Sequence, residues 1–136
     1  MNELEPIPSR PSTSGHFGIR VAQLRNAEID AQPFGIIRLD TRGVVLAYNA
    51  HEQRAAERSS KSVLARNFFT EVAPCTQVQE FYGRFLVGMS EGRLDVTFGF
   101  VFPCPGRERH VFITLFFQPA DSSTWVITRD TRRRRR

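Results

Sequence analysis

The chain is predicted to fold as an α+β domain, a five-stranded antiparallel sheet flanked by short helices and one longer helix. Three observations point there. Two β-rich runs, residues 34–40 and 44–49, flank the turn Thr41-Arg42-Gly43. Residues 77–92 carry apolar side chains at helical spacing, and the last third of the chain returns to strand-like alternation. Two strands, short helices, one longer helix and three closely connected strands form an α+β order, and the short connections favour antiparallel pairing.

Taken in order, the first 16 residues are rich in proline, serine and threonine without apolar periodicity, as in a leader outside the core. Residues 17–30 hold Ile19, Val21, Leu24 and Ala27 as a partial helical stripe, a short helix lying on the domain. Gln32-Pro33 ends it, because a proline disfavours helical geometry in the residue before it. Residues 34–40 and 44–49 then read as a hairpin whose glycine takes a left-handed turn position. Residues 51–60 and 62–68 read as short helical pieces, and residues 72–75 as a loop with Pro74.

The 77–92 segment is the clearest helix. Val78, Phe81, Tyr82, Phe85, Leu86 and Met89 fall on one face, and Gly92 stands where a left-handed stop belongs. Leu94, Val96, Phe98, Phe100 and Phe102 alternate as a strand, Pro103-Cys104-Pro105-Gly106 forces a connection, and residues 110–117 and 124–128 complete the sheet. The helices are expected on one face of it.

Composition bounds the function classes. At 136 residues with 40% hydrophobic and 24% charged side chains, the chain suits one domain with a single core and is too apolar for a disordered one. Formal net charge is +5, but Arg132 to Arg136 supply all of it and leave 14 basic against 14 acidic residues. The folded body therefore lacks the charge excess of a nucleic-acid reader. No apolar run spans a membrane and no secretory segment opens the chain, so a cytoplasmic location is expected. Cys75 and Cys104 are too few for a disulfide framework or a zinc site. There is no phosphate loop, dinucleotide fingerprint or HExxH pair. Cys75 with His51 or His110 would make a nucleophile and base, a pairing that chance supplies in most chains of this length.

More specific is an ordered set of short motifs: Tyr48-Asn49-Ala50-His51-Glu52, then Arg58, Asn67-Phe68-Phe69, Val72-Ala73-Pro74-Cys75 and Glu80-Phe81-Tyr82-Gly83. In that order these residues resemble the photoactive yellow protein (xanthopsin) family of bacterial blue-light receptors. The resemblance runs without a gap from about Phe34 to Arg129, with Trp125 in register.

The resemblance implies a PAS fold, with residues 1–31 as leader or cap, 32–130 as the photosensory domain and 131–136 as an arginine-rich tail. It implies that Cys75 carries p-coumaric acid (4-hydroxycinnamic acid) as a thioester. Tyr48 and Glu52 would hydrogen-bond its phenolic oxygen, Arg58 would shield the pocket, and Phe68, Phe98 and Phe102 would form walls. A free phenol of tyrosine type ionises near pH 10, so a buried phenolate needs such donors, and hydrogen bonds to an ionised acceptor are the strong kind. Glu52 can donate only while it keeps its proton. Isomerisation by light would be followed by transfer of that proton and by a conformational signal.

Two departures from the family stand out. Ala56 replaces a threonine that bonds the tyrosine hydroxyl in the best-known members, and Gly106 replaces a methionine that speeds thermal recovery. Slow dark recovery is expected. Cys104 lacks the Val-Ala-Pro context of Cys75 and is not the expected attachment site. The expected partner is a downstream signalling protein, with no specific nucleic acid and a monomer or weak dimer. The alternative class is a PAS-type ligand-binding or interaction module without pigment.

Overall fold

The computed structural model describes residues 16–103 and 108–131. The leader up to residue 15, Cys104, Gly106 and the five-arginine tail lie outside the described residues.

The sheet is as expected in strand number and direction. Strands β1 (Gly35–Leu39), β2 (Val45–Tyr48), β3 (Asp95–Phe102), β4 (Arg109–Gln118) and β5 (Ser123–Asp130) form one five-stranded sheet. Its order is β2-β1-β5-β4-β3, with every neighbouring pair antiparallel. The β1–β2 turn closes as its sequence dictates. Gly43 sits at φ +90°, and Asp40 Oδ1 accepts the backbone N–H groups of Arg42 and Val44 at 2.8 and 2.9 Å.

The placement of the helices corrects the expectation of a single covered face. Strand alternation sends Ile37, Leu39, Ile113, Leu115 and Val126 to one face, and Ile36, Trp125 and Ile127 to the other. Helices α3 (Ala50–Ala56), α4 (Ser60–Val63) and α5 (Arg84–Glu91) belong to the first side. Helices α1 (His16–Ala22) and α2 (Asn26–Ala31) close the second, where Phe17, Val21, Ala22 and Ile29 are buried with Phe34 and Trp125. The buried stripe of α1 is therefore Phe17 and Val21, four residues apart, while Ile19 is 44% exposed. Two short helices replace the one expected, because the chain turns at Gln23–Arg25 and restarts with Glu28 accepting the Arg25 backbone N–H at 2.7 Å. Both faces of the sheet must be covered because both carry large apolar side chains.

The longer helix also differs. Residues Gln79–Gly83 form a π-helical turn before α5, which stops at Gly92 (φ +73°) as expected. The wider turn rotates the face, so Phe81 and Phe85 are fully buried, Tyr82 and Met89 half-buried, and Val78 and Leu86 exposed. Phe69 sits at the centre of the resulting aromatic cluster, its ring 4.5 Å from that of Tyr82, 4.9 Å from Phe85 and 5.2 Å from Phe68.

Candidate functional site

The site is built on α3 and the segment that follows it. Asn49 caps α3: its side-chain oxygen accepts the N–H of Glu52 at 3.0 Å and of Ile36 at 2.9 Å. Its amide donates to the carbonyls of Ile29 and Phe34 at 2.8 and 3.1 Å. One buried side chain thus fixes α3 against β1 and α2. Tyr48, Glu52 and Ala56 follow at four-residue steps and turn to the same side. Glu57 ends the helix in the left-handed conformation (φ 57°), and Arg58 turns back so that its Nη1 donates to the Val72 carbonyl at 2.8 Å.

Across from α3, Asn67 begins a second π-helical turn, Phe68–Val72, by accepting the N–H groups of Phe69 and Thr70 at 2.9 and 3.1 Å. Its amide also donates to the Arg42 carbonyl at 2.8 Å, which fastens the segment to the hairpin. A 3₁₀ turn, Pro74–Thr76, follows, locked by the Thr76 hydroxyl donating to the Ala73 carbonyl at 2.6 Å. Cys75 lies in the middle of this turn, half-buried and in no disulfide.

Between these elements is a cavity of about 280 Å³. Tyr48, Glu52, Arg58 and Cys75 line it together, with Phe68 and Phe102 as aromatic walls. Phe98 is not among the lining residues. It lies four positions before Phe102 on β3, about 13 Å along the strand, and packs instead against Phe81 (5.5 Å between rings) under the Arg84 guanidinium. His51 and His110 do not line the cavity either, and no cluster of metal-ligating side chains occurs among the described residues.

Three residues at the site escaped sequence reasoning. Arg109, the first residue of β4, donates from Nη1 and Nη2 to the two Glu52 carboxylate oxygens, each at 2.9 Å. The Thr128 hydroxyl donates to Glu52 Oε1 at 2.8 Å and accepts from Arg109 Nη2 at 3.1 Å. Gly35 makes room for this group, since a Cβ there would collide with Glu52 Oε1 and Thr128 Oγ1. A glycine opening an apolar strand is a recognisable sign of close backbone approach. Arg109 and Thr128 carried no comparable sign, because a cation and a threonine near strand ends are ordinary surface residues.

The electrostatics follow from this packing. Burial pushes the Tyr48 phenol far above its ordinary value, the Glu52 charge adds to the rise, and the Arg58 and Arg109 charges oppose it. For Arg109 burial acts to lower its value, but the hydrogen bonds and charge of Glu52, helped by Asp130 and Tyr48, outweigh it and hold the guanidinium charged. His51, beside Glu52, is lowered by burial against the pull of that carboxylate, with Arg54, Asp130 and Arg109 also acting on it. Two guanidinium groups and one carboxylate leave the cavity with a positive balance.

The PAS fold pattern matches residues 23–115. A curated photoactive yellow protein from Halochromatium salexigens is 37% identical over 119 residues, covering 84% of this chain and 95% of that protein. The chain belongs to the photoactive yellow protein family. A photoactive yellow protein from Cereibacter sphaeroides is 36% identical over 97 residues, 71% of this chain and 78% of its own length. Among solved structures, the photoactive yellow protein domain of the sensor histidine kinase Ppr from Rhodospirillum centenum superposes with a TM-score of 0.76 at 39% identity. It matches 81% of this chain and 96% of that one. The PAS architecture and the family anticipated from the motifs are thereby established.

Proposed function

We propose that the chain is a blue-light receptor that carries p-coumaric acid as a thioester on Cys75 and acts as a sensor, not an enzyme. The observation that supports this most is the cavity itself, which gathers Cys75, Tyr48, Glu52 and Arg58 from separate parts of the sequence around one apolar space. The lining suits a small aromatic acid with a phenolic end. Phe68, Val72 and Phe102 offer apolar walls, and the positive balance of the cavity complements one negative charge. One buried polar atom of the lining lacks a partner among the described residues, the Arg109 Nε.

When bound, the group supplies a double bond that light isomerises and a phenolic oxygen that can carry or lose negative charge. Cys75 anchors the acyl end, and its 3₁₀ turn restricts where that end can lie. Tyr48, kept neutral by burial, donates its hydroxyl proton at the phenolic end. Glu52 donates there from its carboxyl while it keeps its proton and gives that proton up after illumination. Arg58 closes the pocket toward the Val72 carbonyl. Glu52 lies over β1 and β5, whose opposite face carries α1 and α2. A change at Glu52 is therefore one sheet thickness from the N-terminal cap, and movement of that cap passes the signal to a downstream protein. Residues 32–130 act as the photosensory unit and 131–136 as an appended tail. The site of action is cytoplasmic, and among the described residues no helix is long and apolar enough to cross a membrane.

Attachment tests this reading. Supplying activated p-coumarate is expected to add one acyl mass to the intact protein, and none to Cys75→Ala. An adduct that survives Cys75→Ala would overturn it.

A further inference from the structure

The Glu52 carboxylate is almost wholly withdrawn from solvent, with its side chain 4% exposed and that of Arg109 12% exposed. Both oxygens face donors: each accepts one guanidinium N–H, and Oε1 also accepts the Thr128 hydroxyl. Because Thr128 accepts from Arg109, its single hydroxyl proton is committed to Glu52. On Oε1 both lone-pair directions meet donors, so a proton there would point at one of them, and Oε2 is left with a single free direction. This seat is shaped for the carboxylate form. The surrounding charges agree: Arg58 stands across the cavity, Asp130 lies near Arg109, and Tyr48 and His51 are the neighbouring titratable groups. Arg109 is also held from behind, its guanidinium carbon 5.4 Å from the centre of the Phe102 ring.

We propose that Arg109 is a counter-ion built into the cavity wall for the ionised form of Glu52, so that loss of the Glu52 proton ends in a ready-made ion pair. Arg109 acts through Glu52 and is a positioning residue. Where no such cation exists, a buried carboxyl that loses its proton leaves an uncompensated carboxylate, a condition that strongly favours reprotonation. Here the proton leaving the Glu52 carboxyl passes to the ligand's phenolic oxygen, and the carboxylate closes onto Nη1 and Nη2 of Arg109 and the hydroxyl of Thr128. The bleached state is therefore long-lived, independently of which residue stands at position 106. The light-driven half of this inference rests on the receptor reading above; the ion pair itself does not.

The test has two arms. In pigment-free protein, isotope-edited infrared spectra referenced to Glu52→Gln are expected to show an ionised Glu52 at neutral pH in the wild type and in Arg109→Lys. A protonated carboxyl is expected in Arg109→Gln. A protonated Glu52 in the wild type, or an ionised one in Arg109→Gln, overturns the proposal. Should Arg109→Gln fail to fold, the wild-type and Arg109→Lys spectra still decide. In pigment-loaded protein, dark recovery of Arg109→Gln is expected to be at least roughly tenfold faster than wild type, about 1.4 kcal/mol of barrier, with Arg109→Lys in between. Equal or slower recovery overturns the proposal. If no pigment attaches, the receptor reading fails while the infrared arm still decides the role of Arg109.

Discussion

Replacing Gly35 with alanine should disrupt the site without substituting any residue that lines the cavity. The new methyl would overlap Glu52 Oε1 and Thr128 Oγ1, both tied into one buried group. Two responses are open to the protein. The carboxylate can be driven out, abandoning its 2.9 Å bonds to Arg109 and stranding that guanidinium, which costs about 3–5 kcal/mol for a buried pair. Alternatively β1 can shift, an overpacking response of about 1–3 kcal/mol. The cheaper response sets the cost, so Gly35→Ala should lose up to about 3 kcal/mol of stability, up to roughly 10 °C of melting temperature for a chain of this size. Urea denaturation of the pigment-free protein measures it. Gly99→Ala is the control, because Gly99 is exposed on the edge strand β3 and a Cβ there meets nothing within 4 Å. Its stability should stay within about 1 kcal/mol of wild type or rise slightly. If the two variants are equally stable, the crowding of Glu52 against β1 is refuted.

Other expectations concern single side chains. Asn49→Ala removes a helix cap and leaves two backbone N–H groups and two carbonyls of α2, β1 and α3 without their partner, so chemical denaturation should show a loss of about 3 kcal/mol or more. Tyr48 adds a pH dependence: because its folded value is raised, its contribution is complete below about pH 10 and is lost as pH climbs past the unfolded tyrosine value. The stability of Tyr48→Phe measured against pH should therefore gain on the wild type only in that alkaline range. Phe102→Ala should alter the visible absorption of loaded protein, whereas Phe98→Ala should weaken stability and leave the absorption unchanged, since only Phe102 lines the cavity.

The sheet was legible because its signals are local. Alternation along β3, the glycine in the first turn and short connections each follow from a few neighbouring residues. What periodicity missed depends on the third dimension. The π-helical turn at Gln79–Gly83 rotates Leu86 outward, and no count at 3.6 residues per turn anticipates it. Similarly, α1 covers the second sheet face because Phe17 meets Phe34 and Trp125 across long sequence separations. The motifs brought Tyr48, Glu52, Arg58 and Cys75 to attention, and one cavity unites them. The resemblance drew in Phe98 beside Phe102, but the two share a face of β3 and not a position along it, and only Phe102 reaches the cavity. Arg109 lies 57 residues from Glu52, and nothing in the spacing of either residue announces their pairing.

The most direct test of the receptor reading is the visible spectrum of pigment-loaded protein before, during and after blue illumination. A blue-absorbing band that bleaches in light and returns in darkness, more slowly than within a second, is the predicted result. A loaded protein whose spectrum is the same in light and darkness would contradict it.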